Sequence, residues 1–150
     1  MHNIVTMGTT HSANQESVFN RPSNPIGYVA ILMALITGVL HLVASTNAVE
    51  MSQLLAVLFI LNGLGFMGGA VLYVTRFWRR WLFIVAAIYA FVTILALFPV
   101  QGWGVEAFYM DGSLNPLAVI TKATEAVLAV CAVYLYVASG EQSEIRAQTP

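Results

Sequence analysis

Four apolar stretches, Ile26 to Ala44, Met51 to Val74, Trp81 to Leu97 and Leu117 to Val137, take up most of this chain. Each is about long enough to cross a ~30 Å hydrocarbon core as a helix. A chain of 150 residues with 59% apolar and 9% charged residues has too little polar surface to cover a soluble globule. The expected fold class is therefore all-α, a four-span transmembrane helical bundle with spans at about 26–44, 48–74, 81–97 and 117–137. Residues 1–25 are expected as a disordered tail and 138–150 as a short C-terminal tail.

The tail expectation rests on the scarcity of large apolar groups in the first 25 residues, which leaves too little burial to offset the entropy of ordering. The first apolar run resembles a signal peptide, with small residues Ala44, Ser45 and Ala48 after it. Its apolar core is longer than the usual 7–15 residues, so retention as a spanning helix is expected. A net charge of -1 lacks the basic stripe that nucleic-acid binding needs. The single cysteine, Cys131, permits neither an intramolecular disulfide nor a paired-cysteine metal or redox motif.

Helix punctuation is explicit. Asn24-Pro25 and Asn115-Pro116 each place a capping side chain before a proline at the first helical position, where the missing N–H costs nothing. They start the first and fourth spans. Asn47 and Glu50 resemble a capping box opening the second. Thr75 to Arg80 forms the next connection, and Phe98 to Asn115 the longest, with Val105 to Met110 a candidate interfacial helix.

Orientation follows from the cations. Arg21, the cluster Arg76, Arg79 and Arg80, and Arg146 all fall on one side, while Glu50, Glu106 and Asp111 fall on the other. The positive-inside rule then predicts a multi-pass protein of the cell membrane with both termini cytoplasmic. The Arg79-Arg80 pair reads first as an orientation signal and second as a contact for anionic lipid.

Helices in lipid associate through small residues and polar contacts, and helical spacing groups both onto shared faces. Gly27, Ala30, Ala34, Gly38 and His41 form one such face in the first span, and Asn62, Gly65, Gly69 and Tyr73 another in the second. In the third span Ala86, Tyr89 or Ala90, and Thr93 align, and in the fourth Lys122, Glu125, Ala129, Ala132 and Tyr136. This predicts an interior polar cluster of His41, Asn62, Thr93, Lys122 and Glu125, with Gly38, Gly65, Gly69, Ala129 and Ala132 as helix-packing residues. At ~1.5 Å per residue Glu125 lies about 12 Å below the outer start of its helix. A charge at that depth costs at least ~2.5–3.5 kcal/mol, which calls for pairing with Lys122 or for proton uptake.

Each candidate also has a structural reading. Lys122 and Glu125 serve equally as an ion pair fixing register, His41 as a packed, hydrogen-bonded group, Asn62 as interhelical glue and Thr93 as a partner of its own helix backbone. Gly63-Leu64-Gly65-Phe66-Met67-Gly68 matches the glycine spacing of dinucleotide sites, but it lies mid-span with no strand before it and no helix N-terminus to hold a pyrophosphate. The same glycines make better sense as a Gly65-x-x-x-Gly69 close-approach surface. With one histidine in the spans, paired histidine ligands for haem or metal are missing. No catalytic residue, cofactor or metal is expected, and no enzyme.

His41 ending the first span, the run Leu61-Asn62-Gly63-Leu64-Gly65-Phe66, the Arg79-Arg80 turn, and Asn115-Pro116 followed by Lys122 and Glu125 together resemble a family of uncharacterised four-helix integral membrane proteins of halophilic archaea, over about Gly27 to Val137. The resemblance implies the architecture and no activity. Two functional expectations follow. The first is an accessory or assembly-type protein that meets a homo-oligomer or membrane-protein partner through its glycine faces. The alternative is a small transporter or proton-conducting subunit using Glu125.

Overall fold

The computed structural model describes residues 17–148, with side chains through residue 141. Residues 1–16 of the expected N-terminal tail, residues 149–150 and the side chain of Arg146 lie outside the described residues. Four helices are long and apolar enough to cross a membrane, and the fold is an all-α bundle built from them.

Helix α1 (Pro25–Met51) starts where the Asn24 side chain accepts from the Ile26 amide at 2.9 Å. Helix α5 (Pro116–Gln148) starts where Asn115 Oδ1 accepts from the amides of Leu117 and Ala118 at 3.1 and 3.3 Å. Both caps act as their sequence predicts. The expected capping box does not: α1 runs on past Ala44, so Asn47 and Glu50 lie in its last turns. Ser45 and Thr46 return their hydroxyls to the carbonyls of Leu42 and Val43 at 2.7 Å each. These bonds satisfy the two hydroxyls within the helix itself. One residue, Ser52, in extended conformation, joins α1 to α2 (Gln53–Tyr73), which begins without a side-chain cap.

Helix α3 (Leu82–Leu95) passes almost directly into a short α4 (Leu97–Gln101). The connection from α4 to α5 then makes one 3₁₀ turn, Val105–Phe108, and a hairpin of β1 (Tyr109–Met110) and β2 (Ser113–Leu114). The interfacial helix expected over Val105 to Met110 is thus cut short. Asp111 and Gly112 both take positive φ, 53° and 76°, the geometry of the two-residue turn that matches strand twist. That turn draws Tyr109 and Met110 into a ladder.

At the opposite end, the segment before α1 is fastened to the α2–α3 connection. Asn20 N donates to Val74 O at 2.8 Å and Arg76 N to Val18 O at 3.0 Å, around a Phe19–Thr75 bridge. The disordered-tail expectation therefore fails for residues 17–24, because the connection offers backbone groups that a neighbouring strand can satisfy. Arg80 Nε donates to Tyr136 O at 3.0 Å, and its guanidinium lies 4.3 Å from the Tyr136 ring centre. Arg21, Arg76, Arg79 and Arg80 share this end with the last turns of α5, which continues as helix through most of the expected 138–150 tail.

Helix α2 packs on α1, α1 on α5 and α5 on α3. The α1 face is the one its spacing predicts, with Gly27, Ala30, Ala34, Gly38 and His41 buried and Thr37 beside them. Close approach to α2 runs through Gly38 and Gly63: a Cβ at either would come within 3.0 or 2.8 Å of the other's carbonyl oxygen. The α2 face is rotated from expectation. Ala56, Gly63, Phe66 and Ala70 are buried, because the Phe66 ring packs on His41 and Tyr89 at 5.6 and 4.9 Å between centroids. Gly65, Gly69 and Tyr73 consequently line a gap between α2 and α3. Helix α5 buries Glu125, Leu128, Ala132 and Leu135, with Lys122, Ala129 and Tyr136 half-buried at the edge.

Gly38→Leu should separate α1 from α2 and lower stability by about 1–3 kcal/mol, the usual cost of overpacking. Gly69→Leu, whose Cβ meets nothing within 4 Å, should leave the unfolding midpoint in detergent unchanged. Equal losses in a thermal scan of the two variants would contradict this rotation of α2.

Candidate functional site: a buried His–Glu–Lys cluster

Glu125 is wholly buried, as are Thr37 and, at 2% exposure, His41. Taking a carboxylate and an imidazole out of water is costly unless each polar atom finds a partner, and here nearly every one does. Lys122 Nζ donates to Glu125 Oε2 at 2.8 Å and to the Thr93 carbonyl oxygen at 2.7 Å. Thr37 Oγ1 donates to Glu125 Oε1 at 3.4 Å, and His41 Nε2 lies 3.3 Å from the same oxygen. Phe59 and Phe66 of α2 wall the imidazole, with ring centroids 5.8 and 5.6 Å away.

The histidine's other nitrogen decides what the cluster holds. Nδ1 is 2.8 Å from the Thr37 carbonyl oxygen, an atom that only accepts, so Nδ1 carries a proton. A neutral ring in that tautomer would turn the bare lone pair of Nε2 toward Glu125 Oε1. Bonding across that contact requires one more proton, either on Nε2 facing a carboxylate or on Oε1 facing a neutral ring. The Lys122 ammonium is held against the second carboxyl oxygen.

Four of the five residues expected in the interior meet here. His41 comes from α1, Lys122 and Glu125 from α5, and Thr93 from α3. Thr93 participates through its carbonyl, since its hydroxyl returns to Ala90 O at 2.8 Å. Asn62 does not join. Its side-chain oxygen accepts from the Tyr89 hydroxyl, and this pair lies at the gap between α2 and α3, where the rotation set by Phe66 carries it. Among the packing residues, Gly38 and Ala132 are buried in the bundle, Ala129 lies beside its core, and Gly65 and Gly69 face the gap. Two participants were missed. Thr37, four residues before His41, shares its helical face, a signal present in the spacing; Tyr89 stood in the α3 alignment without an assigned partner. Among the described residues no group of three His, Cys, Asp or Glu side chains converges as a metal site.

Comparison with known proteins returns one family. Its sequence model, described as a family of unknown function, matches residues 12–136. No curated protein and no solved structure matches the chain.

Lys122→Met should strand the buried carboxyl group and destabilise the fold by about 3–5 kcal/mol, the usual cost of removing one partner of a buried pair. The double variant Lys122→Met/Glu125→Gln should regain most of that loss. Additive losses in detergent unfolding would contradict the pairing.

Proposed function

The chain belongs to DUF7475, and we propose that this member is a multi-pass membrane protein that binds and releases a proton at its His41–Glu125 pair, acting as a small proton-conducting or proton-coupled transport subunit. The observation that carries the reading is the facing of His41 Nε2 and Glu125 Oε1 at 3.3 Å while Nδ1 is engaged by a carbonyl. Ionisable groups inside spans are commonly functional, and Lys122 extends the cluster from the α1–α5 contact to α3. In this reading the arginine-bearing end faces the cytoplasm, as the positive-inside rule directs, and Glu125 exchanges its proton with the opposite side by way of Lys122.

The accessory or assembly reading stands second. It is favoured by Gly65 and Gly69, which are spent on neither α1 nor α5 and present a narrow face toward the α2–α3 gap.

In liposomes carrying a trapped pH-sensitive dye, an imposed pH gradient should collapse faster with the wild-type protein than with Glu125→Gln. The variant should fall to the leak of protein-free vesicles while keeping its elution volume in detergent. Equal rates for the two proteins would overturn the proton reading.

A further inference from the structure

The gap between α2 and α3 is an apolar groove of about 280 Å³, floored by α1 and α5. At the arginine-bearing end it meets a second, polar pocket of about 230 Å³ that Arg21 and Arg76 line. Tyr73, Trp78, Phe83 and Leu135 line both, so the two cavities adjoin at these side chains, one apolar and the other bearing arginines. The indole Nε1 of Trp78 is buried and has no hydrogen-bond partner among the described residues. Trp78 stands where the two cavities meet, and its indole ring reports on what occupies them.

The length of the groove identifies its occupant. From Tyr73 to Gly65 it follows α2 for about 12 Å at ~1.5 Å per residue, and it stops near the Tyr89–Asn62 hydrogen bond. A transmembrane helix of a partner would need a seam along the whole ~30 Å core. A groove of less than half that depth, opening at a cationic interface, matches one leaflet's acyl chain. We propose that these adjoining cavities bind an anionic phospholipid, with its phosphate between Arg21 and Arg76 and an acyl chain between α2 and α3. Gly65 is taken up by the close approach of the Tyr89 hydroxyl, whereas Gly69, where an added Cβ would meet nothing within 4 Å, leaves room for the chain.

The test uses the full-length protein with Trp81→Phe and Trp103→Phe, so that emission reports Trp78, reconstituted in phosphatidylcholine bilayers. Phosphatidylglycerol brominated on its acyl chains should quench Trp78 at a roughly tenfold lower mole fraction than brominated phosphatidylcholine, as two arginines at an anionic headgroup lead one to expect. Arg21→Ala/Arg76→Ala should remove that preference, and Gly69→Leu, filling the groove, should weaken quenching by both lipids. The arginine variant alters exposed side chains and tests the headgroup site independently of the leucine variant. Equal quenching by the two lipids in the parent protein would overturn the proposal. So would relief of quenching by inorganic phosphate, which would mark a free-anion pocket, or a Gly69→Leu variant that changes oligomeric mass with quenching intact, which would mark a partner helix.

Discussion

The carboxyl group of Glu125 is the tie on which the order of the helices depends. Helix α5 lies between α1 and α3, and Glu125 reaches α1 through Thr37 and His41 while Lys122 reaches α3 through the Thr93 carbonyl. In lipid the apolar faces of helices gain little by leaving hydrocarbon for one another, so polar contacts and close packing decide which helices touch. The small residues of α1 serve this purpose. Ala30, Ala34 and Gly38 let neighbouring backbones come near enough for short side chains such as Thr37 to complete the cluster.

Helix α2 is held differently. Its backbone meets α1 at the Gly38/Gly63 crossing, but toward α3 it is spanned by rings. Tyr73, Trp78 and Phe83 form a mutually edge-on trio at 5.0 to 5.4 Å, and farther along the Tyr89 hydroxyl reaches Asn62. Aromatic side chains are long enough to brace two helices apart and still hold them in place. The bundle is therefore closed along α2–α1–α5–α3 and open between its ends.

The sequence was legible wherever a local rule carried the information. The caps at Asn24 and Asn115 and the inward face of α1 follow from chain-local chemistry and 3.6-residue periodicity, and the structure places them accordingly. The rotation of α2 was not legible, because Gly63 and Gly65 are two positions apart and only the packing of Phe66 against His41 and Tyr89 chooses between their faces. The same long-range choice removed Asn62 from the charged group. The hairpin at Asp111-Gly112 had a local signal, since that dipeptide favours positive φ at both positions, but the aromatic content around it reads equally as a surface helix. The strand-like pairing of Phe19 with Thr75 had no local signal, because the two partners are far apart in sequence.

The one-residue joint at Ser52 leaves no slack between α1 and α2, and a glycine crossing lies along their length. Helices α3 and α5 are linked instead by the twenty residues 96–115, which hold α4, a 3₁₀ turn and the hairpin. Between these two halves lie the α1–α5 boundary, on which His41 faces Glu125, and the ring-braced gap between α2 and α3. A displacement of a single helical turn, ~5.4 Å, along the first would part His41 Nε2 from Glu125 Oε1.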